Sequence, residues 1–286
     1  MSSKDLAATK AATLLESLPY IRAWRNRTIV VKIGGQALDD PALTALVADD
    51  LALLTLVGVH VVIVHGGGPQ VSAAMRSAGI EPSFVGGLRV TDDESIEIVR
   101  RVLVGSINND LVAALGAAGV RAVGLSGADG QVIAASKLAS EPDLGNVGEI
   151  VSVRTELVSV LLREGYTPVV ASIAPGPDGG PLNINADEVA GRLATALEAE
   201  KLVFLTNVDG LYADFGDEGS LISELKAGEL RTMAADLSEG MRPKAISILA
   251  ALDGGVGKAH ILDGRVTHAL LLEVFTDEGI GTQVLP

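Results

Sequence analysis

The sequence predicts a layered α/β protein with a mainly parallel central sheet, and three observations carry that expectation. Hydrophobic residues fill 48% of the 286 positions but aromatics only 3%, so the core must be built from Val, Leu, Ile and Ala. From residue 28 onward, strand-like apolar runs alternate with helical ones in a βαβα order, which makes the first strands parallel. The third observation is the stretch VVIVHGGGP at residues 61–69. Four apolar β-branched residues suit a strand buried on both faces. The glycines after His65 let backbone N–H groups approach a ligand, and Pro69 opens a helix whose N-terminus faces the same spot. At the carboxyl end of a central strand this reads as an anion-binding loop. A bare strand-to-helix turn is the alternative at this stage.

The elements follow in order. Ala- and Leu-rich sequence over about residues 5–18 reads as a helix stopped by Pro19. Leu14, Leu15, Leu18, Tyr20, Ile21 and Trp24 form an apolar set that wants a partner. Thr28–Ile33 is the first strand and ends at Gly34-Gly35. Asp40-Pro41 caps and opens a helix that ends at Gly58. A strand over 59–64 leads through the glycine loop into a helix over 69–78. Residues 81–90, EPSFVGGLRV, read as a hairpin turned by Gly86-Gly87. Thr91-Asp92-Asp93-Glu94 is a capping box for a helix that starts at Asp92 and runs to about Ala118, with a break near Gly105. A strand over 121–125, turn signals at Asp129-Gly130 and Gly145–Gly148 flanking short strands, a helix over 154–164 and a strand over 167–173 come next. PGPDGGP at 175–181 is the densest turn cluster and the expected lobe boundary. NINADEVAGRLATALEAE then starts a capped helix. Strands Lys201–Thr206 and 258–262, helices 243–252 and 267–275, and a short terminal strand complete the chain. No internal repeat of 20–50 residues is present.

Composition excludes several function classes. A net charge of -14 argues against binding duplex nucleic acid. With no cysteine there is no disulfide, Cys-ligated zinc or iron–sulfur site. No apolar run approaches the ~20 residues of a membrane span, and the N-terminus is no convincing secretory signal. A cytoplasmic protein without membrane contact is expected. The signatures GxxxxGK[ST], GxSxG and HExxH are missing, and no GxGxxG follows a strand with an acidic partner. The four histidines lack metal-ligand spacing and read as structural, so no metal ligand is named.

What remains is cations and glycines at strand ends. Lys32 interrupts a Val/Ile strand just before Gly34-Gly35, and a buried lysine there needs an anion. Arg89 closes the hairpin. Lys244 lies in the first turn of a helix, where the dipole disfavours a cation unless an anion accompanies it. Asn183, Asn185 and Asp187 precede a helix, and ordinary capping accounts for only one of them. Two glycine loops, three cations and an Asn/Asp cluster fit phosphoryl transfer, which is mostly positioning and charge stabilisation. No general base stands out. A carboxylate acceptor needs none, being ionised well below pH 7.

VKIGG, VIVHGGGP, GGLRVTD, NINAD, LTNVDGLY, GMRPK and AHILDGRVTHALLLEVFTDEGIGT occur in this order. Together they resemble the amino acid kinases along nearly the whole chain. The resemblance implies a three-layer α/β/α sandwich of two lobes at about 28–182 and 183–286, preceded by an oligomerisation and regulatory helix at 1–27. It implies transfer of the γ-phosphoryl of MgATP to the side-chain carboxylate of N-acetyl-L-glutamate, with Mg2+ carried by the ATP phosphates. Lys32 and Lys244 are similar to the family's charge-stabilising lysines and Asp187 to the aspartate that orients them. Gly67, Gly68, Arg89 and Asn183 resemble the acyl-amino-acid contacts. Gly34, Gly35, the run Thr206, Asn207, Val208, Asp209, Gly210, Leu211 and Tyr212, and Gly240 with Met241, resemble the nucleotide contacts. Glu239 stands where a second glycine is common, and Asn207 where aspartate is frequent.

Arginine-inhibited members carry an N-terminal helix that interlaces dimers into a hexamer, a trimer of dimers. By that likeness arginine is the expected inhibitor, with Tyr20, Lys201, His268, Glu273 and Gly279 as contacts. Binding of a nitrogen-regulatory PII protein is left undecided. The alternatives are a related kinase acting on aminoadipate, aspartate, carbamate or a nucleoside monophosphate, and a non-catalytic arginine sensor. GGLRVTD and the N-terminal helix favour acetylglutamate, and the two lysines favour catalysis.

Overall fold

The computed structural model describes residues 3–214, 216–276 and 279–286. The acidic pair at 277 and 278, within the TDEGIGT segment, lies outside them. Helices α1 (Ser3–Glu16) and α2 (Leu18–Trp24) precede β1 (Thr28–Ile33), α3 (Gln36–Asp39), α4 (Pro41–Leu56), β2 (His60–His65) and α5 (Gly68–Ser77). The hairpin β3 (Phe84–Val85) and β4 (Leu88–Arg89) leads to α6 (Asp93–Arg100), a π-helical segment Arg101–Ile107, α7 (Asn108–Ala117) and β5 (Ala122–Leu125). Next come β6 (Ile133–Lys137), β7 (Val147–Val153), α8 (Glu156–Arg163), β8 (Thr167–Ala171), β9 (Ile173–Pro175) and β10 (Pro181–Ile184). The rest is α9 (Ala186–Ala196), β11 (Lys201–Thr206), β12 (Leu211–Tyr212), β13 (Leu221–Ile222), β14 (Glu224–Lys226), α10 (Ala227–Met233), α11 (Arg242–Asp253), β15 (Lys258–Asp263), α12 (Ala269–Phe275) and β16 (Thr282–Leu285).

An eight-stranded sheet in the order β14-β16-β15-β11-β1-β2-β8-β5 forms the middle layer. All its pairings are parallel except β15 with β16. Strand alternation sorts the core onto the two faces. Val30, Val62, Val64, Val170 and Phe204 pack under α8, α9 and α11. Ile29, Val31, Ile63, Val203 and Leu205 pack under α4, α7 and α12. The result is the expected three-layer α/β/α arrangement. A second, four-stranded sheet, β6-β7-β10-β9, sits beside it, and its β6 and β7 are the short strands expected beside Asp129-Gly130 and Gly145–Gly148.

Four local expectations change. Pro19 ends no helix: it occupies the first turn of α2, where its missing N–H has no intrahelical acceptor to lose. Gly105 brings no break, because the chain continues from α6 through the π-helical segment into α7. Burial of Leu103 and Ile107 holds that segment in place. The cap of α6 is Asp92, whose carboxylate accepts from Ser95 N at 2.8 Å. Thr91 is engaged elsewhere, its hydroxyl donating to the Arg89 carbonyl and its backbone pairing with Gly145. The strand expected over 167–173 divides at Ser172 between the two sheets, and PGPDGGP is the turn joining β9 to β10.

Candidate active site

β1 delivers Lys32 on the face it shares with Val30, toward the N-terminus of α9. Asn185 caps that helix by accepting from Asp187 N at 2.8 Å, and the cap fixes Asp187 in the first turn. Lys244 arrives from the first turn of α11. The two ammonium groups stand 3.0 Å from different oxygens of the Asp187 carboxylate. All three are nearly enclosed, with side-chain exposures of 14% for Lys32, 8% for Lys244 and 10% for Asp187. Burial pushes the Asp187 pKa up, but the charges of Lys32 and Lys244 outweigh it and hold it at about 2. Burial pulls Lys244 below its ordinary value; Asp187 opposes that and Lys32 adds to it. The Lys244 ammonium also lies 4.9 Å from the centre of the Phe204 ring.

Two cavities meet at this triad. One, of about 750 Å³, runs from Lys32, Gly34, Gly35 and Lys244 along the segment 206–213 to Gly240 and Met241. The other, of about 280 Å³, is lined by Gly67, Gly68, Arg89 and Asn183, and it shares Lys32, Gly34 and Gly35 with the first. Glycine is required at the junction. Gly35 has φ +61°, and a Cβ there would overlap the Asn207 side chain. A Cβ on Gly34 would stand 2.7 Å from Lys32 Nζ, and one on Gly67 would overlap Ile107 of the π-helical segment.

Arg89 is buried, and its guanidinium donates to Gly68 O and Ser72 Oγ at 2.8 Å each and to Met75 Sδ at 3.3 Å. The Phe84 ring covers it, with its centroid at 4.7 Å. Asn183 donates to Thr91 Oγ1 at 3.2 Å. His65, fully buried, pairs Nδ1 with Gly66 O and accepts from Asn108 through Nε2, both at 2.9 Å. Burial, with Lys32 nearby, lowers its pKa to about 4, so the ring is neutral and braces the glycine loop.

A third cavity, of about 970 Å³, opens between α2, α12 and the ends of β15 and β16. Tyr20, Glu273 and Gly279 line it, as does Asp209, which turns away from the segment that lines the first cavity. Lys201 lies beneath, fully buried and paired with Glu273 Oε1. Burial lowers its pKa to about 8 in spite of Glu273. His268 is not part of this wall. Its backbone is left-handed, at φ 58°, and Nδ1 stands 2.6 Å from the buried Asp50.

The amino acid kinase family model matches residues 27–263. The chain belongs to the amino acid kinase family. Within the family it groups with the acetylglutamate kinases, phosphotransferases with a carboxyl group as acceptor. The acetylglutamate kinase of Symbiobacterium thermophilum is 50% identical over 288 residues, covering 98% of each chain. Among solved structures, N-acetylglutamate synthase from Neisseria gonorrhoeae, complexed with coenzyme A and N-acetyl-glutamate, superposes with a TM-score of 0.86 at 30% identity. The match covers 96% of this chain and 63% of that one. The same synthase complexed with coenzyme A and L-arginine gives a TM-score of 0.82 at 28% identity, covering 96% and 65%.

Several cavity residues of this amino acid kinase carried no readable signal. Met233, Asp236, Leu237 and Ser238 close the larger cavity from α10 and the loop after it. They are scattered in a polar stretch without periodicity. Ser172 and Val147 reach the smaller cavity only because β8 and β9 part and β7 pairs with β10. Trp24, Lys258 and His260 join the third cavity from distant elements. Alternation along β15 was the one available hint, since His260 shares a face with Lys258.

Proposed function

We propose that the chain transfers the γ-phosphoryl of MgATP to the side-chain carboxylate of N-acetyl-L-glutamate, giving N-acetylglutamyl 5-phosphate and ADP, as a cytoplasmic step of arginine biosynthesis. The observation that carries this reading is the meeting of two cavities of unequal size at Lys32, with Lys244 and Asp187 beside it. ATP occupies the larger cavity, against the segment 206–213, Gly240 and Met241. The acyl amino acid occupies the smaller one. Most of the larger cavity's lining comes from the lobe read at about 183–286 and most of the smaller one's from that at about 28–182, while Lys32, Gly34 and Gly35 line both.

Arg89 and Asn183 hold the substrate's carboxylate end. Arg89 has five N–H donors, and its contacts to Gly68 O, Ser72 Oγ and Met75 Sδ leave one on Nη1 and one on Nε for single hydrogen bonds to a substrate carboxylate. Gly67 and Gly68 present backbone N–H groups to the reacting carboxylate, which is ionised at neutral pH and attacks without a base. Lys32 and Lys244 stabilise the charge that spreads over the transferring phosphoryl. Asp187 holds both ammonium groups facing one point. Its carboxylate is engaged by two lysines, so Mg2+ would be carried by the ATP phosphates and would supply neutralisation of their charge.

The third cavity is the inhibitory arginine site of this reading. Glu273 offers a carboxylate to a cationic ligand, with Tyr20 and Gly279 at the wall. A solved relative complexed with L-arginine supports it. Helix α1 exposes Leu14 at 70% and Leu15 at 65%, an apolar face for assembling dimers into a hexamer.

Trapping the acyl phosphate with hydroxylamine, acceptor by acceptor and with or without arginine, tests the proposal. A hydroxamate from N-acetylglutamate that diminishes with arginine is expected. A strong signal only from aminoadipate, aspartate or carbamate would sink the substrate assignment.

A further inference from the structure

Ser247 lies one turn beyond Lys244 on α11 and is buried at 7% exposure. Its hydroxyl donates to the main-chain carbonyl of Asp187. Lys244 Nζ donates to the carboxylate of the same residue at 3.0 Å. Side chains at i and i+3 share one face of a helix, so α11 holds a single residue of α9 at two points, backbone and carboxylate.

The second point exists because α9 carries glycine one turn on. A Cβ on Gly191 would overlap Ser247 Oγ and stand 3.0 Å from the Ser247 carbonyl oxygen. Gly191 is buried inside the helix and has no left-handed backbone to accommodate. Glycine at such a position destabilises a helix relative to alanine, so close approach is what it provides here. The Asp187 carbonyl is placed to accept from the N–H four residues on, as in any α-helix. The Ser247 bond is therefore not needed to satisfy it, and what the bond adds is location.

We propose that Ser247 is a positioning residue for phosphoryl transfer: seated in the notch at Gly191, it sets the α9–α11 separation that keeps Lys244 on Asp187 opposite Lys32. This rests on the catalytic reading of Lys244 and Asp187 given above. A displacement of about 1 Å at a charge-stabilising group can slow the reaction by up to ~10²-fold. The two helices are where such a displacement would arise, since Lys32 comes from an interior strand paired on both sides.

Steady-state kinetics on the full chain test it with Ser247→Ala, Gly191→Ala, Lys244→Ala and the Ser247→Ala/Lys244→Ala double variant. Ser247→Ala is expected to lower kcat on the order of 10-fold, with KM for ATP and N-acetylglutamate within about two-fold of the parent. Gly191→Ala, which drives the hydroxyl out of the notch, should do the same. In the Lys244→Ala background, removing Ser247 should change kcat less than about two-fold, because the geometry it sets no longer carries a charge. A residue that only supports folding would lower kcat by one factor in both backgrounds, and that result overturns the proposal. So does normal kcat in Ser247→Ala beside a crippled Lys244→Ala. Near-normal turnover in Lys244→Ala removes the site assignment itself and this proposal with it. Should Gly191→Ala not fold, Ser247→Ala, which deletes a single oxygen, still decides.

Discussion

Lys32 and Lys244 come from elements more than two hundred residues apart and end on the two oxygens of one carboxylate, each 3.0 Å from Asp187. A strand mouth and a helix start supply the pair. Neither is a usual place for a buried cation, and a single aspartate makes both tolerable.

Loss of either lysine should therefore strike chemistry rather than binding. Lys32→Ala and Lys244→Ala are each expected to lower kcat by ~10²-fold or more, the scale of removing one donor that stabilises transition-state charge. Hydroxamate formation at saturating substrates measures it. Retained turnover in both variants would contradict the phosphoryl-transfer role.

Asp187 also ties the fold to pH. Its native pKa of about 2 lies below the ordinary 3.8. Between those values the unfolded chain binds the proton more readily than the native one, so stability rises with pH across the interval. The contribution is complete above about pH 4 and is lost as pH falls through about 2. It amounts to about 2 kcal/mol. In urea titrations, the stability gap between the parent and Asp187→Asn should narrow by that amount from pH 5 to pH 2. A gap that stays constant would show that the carboxylate is not held ionised in the fold.

Arg89→Lys should separate binding from chemistry. One ammonium cannot meet Gly68 O, Ser72 Oγ and a substrate carboxylate with the planar fork that guanidinium offers. The KM for N-acetylglutamate should rise by ~10-fold or more, with a smaller change in kcat, since the contact is equal in ground and transition states. An unchanged KM would move the carboxylate site elsewhere.

Removal of residues 1–26 takes Tyr20 and Trp24 out of the third cavity along with the exposed leucines of α1. The truncated chain is expected to be an active dimer that has lost most arginine sensitivity. Size-exclusion chromatography and inhibition curves check this together. A truncated protein that still elutes as a hexamer and is still inhibited would reverse both assignments.

Much of this architecture could be read from the chain. Buried runs such as Val61–Val64 mark mid-sheet strands because only both-face burial tolerates them. Glycine and lysine at the ends of such strands marked the junction of the two cavities, since buried charge and missing side chains are both costly without a reason. The four-stranded sheet was less legible, because β9 and β10 are short and the parallel pairing that unites the sheet joins Val147 of β7 to the distant Asn183 of β10. The π-helical segment was hidden behind Gly105, which reads as a weak point until Leu103 and Ile107 are seen packed beside Gly67. His268 was expected beside arginine only through the family likeness. Its partner Asp50, 218 residues away, is a contact that no local pattern could announce.

Trp24 is the only tryptophan in the chain. Its ring lies 5.6 Å from the ammonium groups of both Lys201 and Lys258 and forms part of the wall of the third cavity. Indole emission responds to nearby charge and to water, so the protein carries a built-in optical reporter at one defined spot. Occupancy of that cavity can be followed by intrinsic fluorescence in the unlabelled chain, independently of turnover and without a second emitter of the same kind to unmix.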